Sequence, residues 1–146
     1  MSSPFDESTQ FHCYDVGIIG SGPAGLSAAA HAAGLGVTHV LLESEAQASN
    51  TIHKYQKGKH VMAEPQILPL RSPLTFAAGK REAVLDAWNR EVDAAKVNVR
   101  RGSEIVAVTG GDGAFTLQAR SGETFQCRKV ILAIGLQGNL RKLGIP

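Results

Sequence analysis

Three glycines lie close together near the start of the chain, in the string GSGPAG that runs from Gly20 to Gly25. Glycines at this GxGxxG spacing can hold a diphosphate against the backbone where a helix begins. Gly20 permits a tight turn, Gly22 leaves no Cβ where a pyrophosphate would pass, and Gly25 lets the helix pack closely on the preceding strand. Because glycine is common here, with 16 in the chain, the surrounding elements decide how much the pattern means.

An acidic residue follows at the distance that nucleotide binding needs. Glu43 lies 23 positions after Gly20, directly after an apolar run. A carboxylate at this place accepts hydrogen bonds from the hydroxyls of an adenosine ribose and repels a 2′-phosphate. We assign Ser44, the next residue, to the same site. The alternative is a glycine turn that only joins a strand to a helix, with Glu43 a solvated strand end.

The residues around the glycines predict a strand, a helix and a second strand. Val16–Ile19 is a short apolar run that suits a strand buried on both faces. Pro23 stands where a first helical turn tolerates proline, and an alanine-rich segment with high helix propensity follows. A second apolar run, 37–42, ends at Glu43. Asp15–Glu43 is therefore predicted to form one βαβ unit with a parallel pair of strands.

The middle of the chain predicts a long irregular segment followed by a helix. Residues 44–78 show no clean period and contain three prolines, so we predict an irregular segment with room for a short helix. Segments of this length usually have a function. From Gly79 to Ala95, apolar residues recur at helical spacing and charged residues occupy the other face.

The last third of the chain predicts strands. Val97–Arg100 gives a third strand, and Val130–Ile134 is a second buried run that ends at Gly135 and suits a fourth parallel strand. Between them, glycine-rich turns separate three short antiparallel strands at 104–109, 114–120 and 123–127. The predicted fold class is therefore α/β, a Rossmann-like parallel sheet with helices plus a three-stranded antiparallel β-meander.

Composition excludes several classes of protein. With 43% hydrophobic and 19% charged residues and a net charge of +2, the chain is neither disordered nor a concentrated basic binder of nucleic acid. Residues 1–14 are polar, lack the features of a secretory signal, and are predicted to form a loose arm. No long apolar run predicts a membrane span, so we expect a cytoplasmic protein. Cys13 and Cys127 form neither a CxxC pair nor a metal-ligand cluster, and we expect reduced thiols and no metal site.

The wording of the motif resembles one family. Tyr14–Gly34, YDVGIIGSGPAGLSAAAHAAG, resembles the N-terminal FAD-binding motif of the thioredoxin-reductase-like branch of the pyridine-nucleotide disulfide oxidoreductases. The predicted meander also matches, and Val130–Gly135, VILAIG, is similar to the family's apolar strand that ends in Ala-Thr-Gly. The final Leu143–Pro146 resembles the boundary before an NAD(P) domain. The resemblance covers nearly the whole chain after residue 14.

This resemblance implies FAD as the cofactor, although the glycine motif by itself serves FAD and NAD alike. It implies that the pyrophosphate is held by Gly20, Gly22, Pro23, Ala24 and Gly25, and the ribose by Glu43. It implies that Ser103 and Glu104 match the stretch whose backbone meets the adenine. Ala133 and Gly135 match the cofactor-facing end of the fourth strand, where Ile134 replaces the usual threonine.

The chain departs from the family pattern after the ribose acid. Members usually carry a Gly-Gly pair there, whereas this chain reads ASNTI at Ala48–Ile52. The basic loop His53–His60, HKYQKGKH, could line an isoalloxazine ring or bind an acidic partner, and Lys57 or His60 is then the residue that makes the contact. The alternative is a loop that simply faces water, as charge runs usually do.

The resemblance implies a parent protein that transfers electrons through FAD from NAD(P)H to a disulfide or another acceptor. A full member continues with an NAD(P) domain and a returning FAD segment, so we expect residues 15–146 to be the first part of a longer reductase, inactive alone and with no catalytic residue to name. Its buried strands predict a face for docking the missing parts or a second copy. Two alternatives remain: a nucleotide-binding or assembly module without redox turnover, and an NAD-binding Rossmann domain.

Overall fold

The computed structural model describes residues 13–46, 48–62 and 71–135. Residues 1–12 of the predicted arm and the final Leu143–Pro146 lie outside these ranges. The prediction that the arm extends to residue 14 is wrong, because Cys13 and Tyr14 pair with Gln126 and Cys127 in the sheet. The helices are α1 (Pro23–Gly34), α2 (Asn50–His53) and α3 (Arg81–Ala94). The strands are β1 (Cys13–Ile19), β2 (His39–Leu42), β3 (His60–Val61), β4 (Gly79–Lys80), β5 (Val99–Arg100), β6 (Ile105–Gly111), β7 (Ala114–Ala119) and β8 (Thr124–Leu132).

One six-stranded sheet runs through the molecule in the order β5-β2-β1-β8-β7-β6. Strands β5, β2, β1 and β8 are parallel to their neighbours, whereas β8, β7 and β6 form an antiparallel meander. The predicted fold class is confirmed. A second, two-stranded ribbon pairs β3 with β4. Two-residue strands leave no periodic pattern, so the sequence did not predict this ribbon.

Helices cover one face of the sheet. Leu26 and the small residues Ala29 and Ala30 of α1 are buried against Ile18 of β1, because alanines let the helix axis approach the strands closely. Trp88 of α3 completes this core together with Val84 and Val92. No helix among the described residues is both long and apolar enough to cross a membrane.

The meander and the parallel strands form a second core, from side chains other than those that pack on the helices. Val40 and Leu42 of β2 are buried in a cluster with Leu117 of β7 and with Phe125 and Cys127 of β8. Gly17 of β1 makes this contact possible, because a Cβ there would lie 2.5 Å from the Cys127 Sγ and 2.8 Å from the Leu117 Cδ1. Strands β1 and β2 are therefore packed on both faces, as their continuous apolar runs predict. The prediction of a buried run at 130–134 is wrong, because Ile131, Leu132 and Ile134 are 41%, 66% and 66% exposed.

The strand β8 is longer than the sequence predicts. The runs 123–127 and 130–134 were expected to form two strands, but residues 124–132 form one strand that pairs with both β7 and β1. Two charged residues between the runs, Arg128 and Lys129, break the apolar pattern without ending the strand. Both are exposed: Lys129 pairs with Asp112, and the Arg128 Nε lies 3.9 Å from the Asp15 Oδ1.

Candidate functional site

Most of the predicted site residues meet at the carboxyl edge of the parallel strands. Backbone hydrogen bonds continue past the strand ends and hold this edge together. The N–H of Gly20 donates to the Leu42 carbonyl (2.9 Å), and the N–H of Ala133 donates to the Ile19 carbonyl (2.8 Å). The N–H of Ser103 donates to the Glu43 carbonyl (2.7 Å). In open α/β sheets, ligands bind outside this edge.

The three glycines of the motif are needed for different reasons. Gly20 has φ +105°, and a Cβ there would lie 2.3 Å from the Ala133 carbonyl oxygen. A Cβ on Gly25 would lie 1.8 Å from the Gly20 carbonyl oxygen. At Gly22, by contrast, a Cβ would meet no atom of the described residues within 4 Å. Packing inside the chain explains Gly20 and Gly25, whereas Gly22 faces open space.

The start of α1 is suited to an anion. Gly22 is its N-cap residue, and no side chain in the described part of the chain caps it by a hydrogen bond. Pro23 and Ala24, which form the first helical positions, are both exposed. Free N–H groups and the positive end of the helix dipole favour negative charge at such a terminus. The open backbone at Gly22 and this helix start therefore fit a diphosphate.

Glu43 points toward the glycine turn and is only 7% exposed. Its Oε2 accepts hydrogen bonds from the Ser21 N–H (3.2 Å) and from the Ser21 hydroxyl. Its Oε1 accepts from the Ser44 hydroxyl (3.1 Å) and from the Glu45 N–H (3.0 Å). A carboxylate has about four acceptor positions, so these four donors fill them. A ribose diol bound here must replace a hydroxyl donor, and the exposed Ser44 is the one that can turn into solvent.

Sequence reasoning missed two buried serines at this site, Ser21 and Ser49. Ser49 is 4% exposed and has φ +55°, the left-handed region that glycine favours. Its N–H donates to the carbonyl and hydroxyl oxygens of Ser21 (3.0 and 3.1 Å), and its hydroxyl donates to the Ser21 carbonyl (3.0 Å). Ser49 thus ties the segment after β2 to the glycine turn. The missing Gly-Gly pair was the only sequence signal at this position.

The remaining predicted residues take different positions. Ser103 is buried beside Glu43, but the Glu104 carboxylate binds Arg120 at the end of β7 through two hydrogen bonds of 2.8 and 3.0 Å. Ala133 packs on Gly20 and Gly25. Gly135 has φ +69° and lies at the end of the described residues. Of the predicted set, the structure therefore groups the glycine turn, Glu43, Ser44, Ser103 and Ala133 most closely.

A parallel sheet with a bare glycine turn, a helix start and an acid at its carboxyl edge is a Rossmann-like dinucleotide-binding fold. The sequence model of the pyridine nucleotide-disulphide oxidoreductases matches residues 17–146. The chain belongs to this family of flavin-dependent oxidoreductases, as the resemblance of the motif implied.

Two curated relatives have this similarity. The ferredoxin–NADP reductase of Leuconostoc mesenteroides is 26% identical over 122 residues, which cover 84% of this chain and 34% of the relative. The thioredoxin reductase of Claviceps purpurea is 32% identical over 124 residues, which cover 84% of this chain and 35% of the relative. The chain thus spans about a third of the length of these relatives.

Solved structures share the fold. The bacillithiol disulfide reductase of Staphylococcus aureus matches with a TM-score of 0.72 at 22% identity, over 85% of this chain and 39% of that one. The thioredoxin reductase of Lactococcus lactis matches with a TM-score of 0.65 at 21% identity, over 91% of this chain and 38% of that one.

Proposed function

We propose that the carboxyl edge of the sheet binds FAD, and that the chain is the flavin-binding part of an NAD(P)H-dependent reductase. One observation carries the assignment: Gly20 and Gly25 are packed against backbone, whereas Gly22 opens onto space in front of the helix start. A glycine that packing within its own chain does not require, at the place where a diphosphate would pass, is explained by a ligand.

Each group at the edge has a role toward the dinucleotide. The bare backbone of Gly22 and the N–H groups of Ala24 and Gly25 bind the pyrophosphate. Glu43 accepts from the ribose hydroxyls, while Ser21 holds its carboxylate in place. Ser103, with Glu104, lies on the adenine side, and Ala133 with Gly135 lies toward the flavin. When bound, FAD supplies the redox chemistry by taking electrons from NAD(P)H and passing them on.

The family and the names of the relatives support an electron-transfer role. One relative is named for ferredoxin and NADP and the other for thioredoxin, so we propose a small redox protein or a disulfide as the second substrate. We propose that residues 15–146 are the FAD domain of a longer reductase and do not turn over without an NAD(P) domain. This is consistent with a chain that spans about a third of its relatives.

Calorimetric titration with FAD, ADP and NAD tests the proposal. ADP isolates the diphosphate and ribose contacts, and FAD and NAD both contain that moiety. We expect FAD and ADP to bind, and FAD to bind more tightly than NAD. Tighter binding of NAD would favour an NAD-binding domain instead, and failure of all three nucleotides to bind would refute the site.

A further inference from the structure

A strongly basic surface is formed by residues 53–60 and 79–82. These twelve residues contain five cations and a single acid, Glu82, whereas the rest of the chain has ten cations and twelve acids. The net charge of +2 therefore combines +4 on this surface with −2 elsewhere. We call it the basic surface; its cations are Lys54, Lys57, Lys59, Lys80 and Arg81, and its histidines are His53 and His60.

Arg81 and Glu82, at the start of α3, hold the two segments of the basic surface together. The backbone N–H of Arg81 donates to the Lys59 carbonyl (2.8 Å), and its Nη1 donates to the His53 carbonyl (2.6 Å). The Gly58 N–H donates to both carboxylate oxygens of Glu82 (3.1 and 3.2 Å). The β3–β4 pairing also places His60 opposite Lys80. The cations are thus presented on a fixed scaffold, which lowers the entropic cost of binding a partner.

Glu82, the one acid of the basic surface, accepts hydrogen bonds from groups of the surface itself. Hydrogen bonds from the backbone N–H groups of Glu82 itself and of Gly58, and then from the Arg81 side chain, lower the pKa of Glu82 to about 2. The Arg81 Nε donates to the Glu82 Oε1 at 3.0 Å. Its carboxylate therefore binds the loop backbone and Arg81, and it forms no ion pair with the lysines within the described ranges.

The lysines of the basic surface differ from several arginines of the sheet, which are paired with acids. Lys54, Lys57, Lys59 and Lys80 are exposed, and no ion pair found within residues 13–46, 48–62 and 71–135 includes any of them. On the sheet, by contrast, Arg100 pairs with Glu123 at 2.6 Å. Lysines carried on segments that are joined by hydrogen bonds, with no acid paired to them, repel one another, so an acidic partner relieves this repulsion.

The surface fits a protein better than a nucleic acid or a membrane. Single-stranded nucleic acid needs exposed aromatic rings for stacking, but Tyr55 is half-buried and the Lys59 Nζ lies 4.5 Å from its ring centre. Stable membrane anchoring needs an apolar element besides the charges, whereas α2, the helix that leads into these lysines, has four residues. A compact, preformed group of lysines matches a patch of carboxylates on a folded protein.

The basic surface is also joined directly to the nucleotide site. The His53 N–H donates to the carbonyl of Ser49 (3.0 Å). The N–H and hydroxyl of Ser49 in turn donate to Ser21 in the glycine turn. We propose that the basic surface docks an acidic patch of a protein partner beside the bound dinucleotide. That the partner exchanges electrons with the flavin rests on the proposed function; the docking itself depends only on the charges of this chain.

The experiment titrates the 146-residue protein into a fluorescein-labelled peptide of eight glutamates and follows anisotropy at low ionic strength. The test variant is the triple charge reversal Lys54→Glu, Lys57→Glu, Lys80→Glu. The control, Arg71→Glu, Arg90→Glu, Lys96→Glu, makes the same change in net charge at exposed cations outside the surface. Carbodiimide cross-linking followed by mass spectrometry then identifies which lysines contact the peptide.

We expect the test variant to weaken peptide binding by about tenfold or more and the control by less than about threefold. Cross-links should fall on the lysines of the basic surface, and binding should weaken with salt as the Debye length falls below about 10 Å. Equal weakening by both triples would overturn the proposal. So would tighter binding of a DNA duplex, or of phosphatidylserine vesicles, through the same lysines. ADP titration of both variants separates the two proposals, because ADP has no isoalloxazine ring for Lys57 to contact, and we expect the test variant to bind ADP as tightly as the control variant does.

Discussion

The most informative substitution is Gly22→Ala, compared with Gly25→Ala. The Gly22 backbone has φ −71° and ψ −175°, which alanine adopts freely, and a methyl group there meets no described atom within 4 Å. Reduced freedom of the unfolded chain stabilises the alanine variant by about 0.4–1 kcal/mol, and the poorer N-cap costs a similar amount. The free energy of unfolding should therefore change by less than about 1 kcal/mol. At Gly25, a methyl group would lie 1.8 Å from the Gly20 carbonyl oxygen, so we expect a loss of about 3 kcal/mol or more.

The affinity for ADP should fall in Gly22→Ala although the stability of this variant changes little. The Gly22 methyl group occupies the space assigned to the pyrophosphate, and overpacking of this size costs about 1–3 kcal/mol, or about 5- to 150-fold in the Kd of ADP. Urea denaturation measures stability, and calorimetry with ADP measures affinity, on the same protein samples. If Gly22→Ala folds normally and binds ADP as tightly as the unchanged chain, the diphosphate does not pass this residue and the reasoning fails.

Three further predictions concern the packing around the site. Ser49→Gly should have a free energy of unfolding about 1 kcal/mol higher than Ser49→Ala in urea denaturation, because φ is +55° there. Alanine variants are usually more stable than glycine variants, and finding that order here would contradict the left-handed backbone. Gly17→Ala should cost about 1–3 kcal/mol because of the contacts with Leu117 and Cys127, and a second change, Cys127→Ala, should restore part of it; an unchanged midpoint would mean that the meander is not packed there. Burial, and then the nearby Cys13, raises the pKa of Cys127 from 9.0 to about 11, so iodoacetamide should label only Cys13 in the folded protein at about pH 8. Equal labelling of both thiols in the folded protein would refute the burial of Cys127. The contribution of this thiol to the free energy of unfolding is complete below pH 9 and is lost as the pH rises to about 11.

Local sequence signals predicted the elements that hold the glycine turn. An apolar run, a turn of glycines, a proline at the first helical position and a second apolar run each act over a few residues, and β1, α1 and β2 follow from them. The signals failed where long-range contacts decide. The two strands predicted at 123–127 and 130–134 are one, because residues 129–132 of β8 pair with β1, which is more than 100 residues away in sequence. The β3–β4 ribbon depends on Arg81 contacts with residues 22 to 28 positions away.

The segment after the ribose acid shows how a missing family feature can be replaced. A non-glycine residue in the left-handed region costs about 1–3 kcal/mol. Ser49 accepts this cost while its N–H and hydroxyl both hydrogen-bond to Ser21, and buried hydrogen bonds of this kind contribute about 0.5–1.5 kcal/mol each. The two effects nearly cancel, so serine can occupy a glycine-like position without destabilising the fold. The same bonds fix Ser21, and through it the Glu43 carboxylate, so the replacement also orients the group that we assign to the ribose.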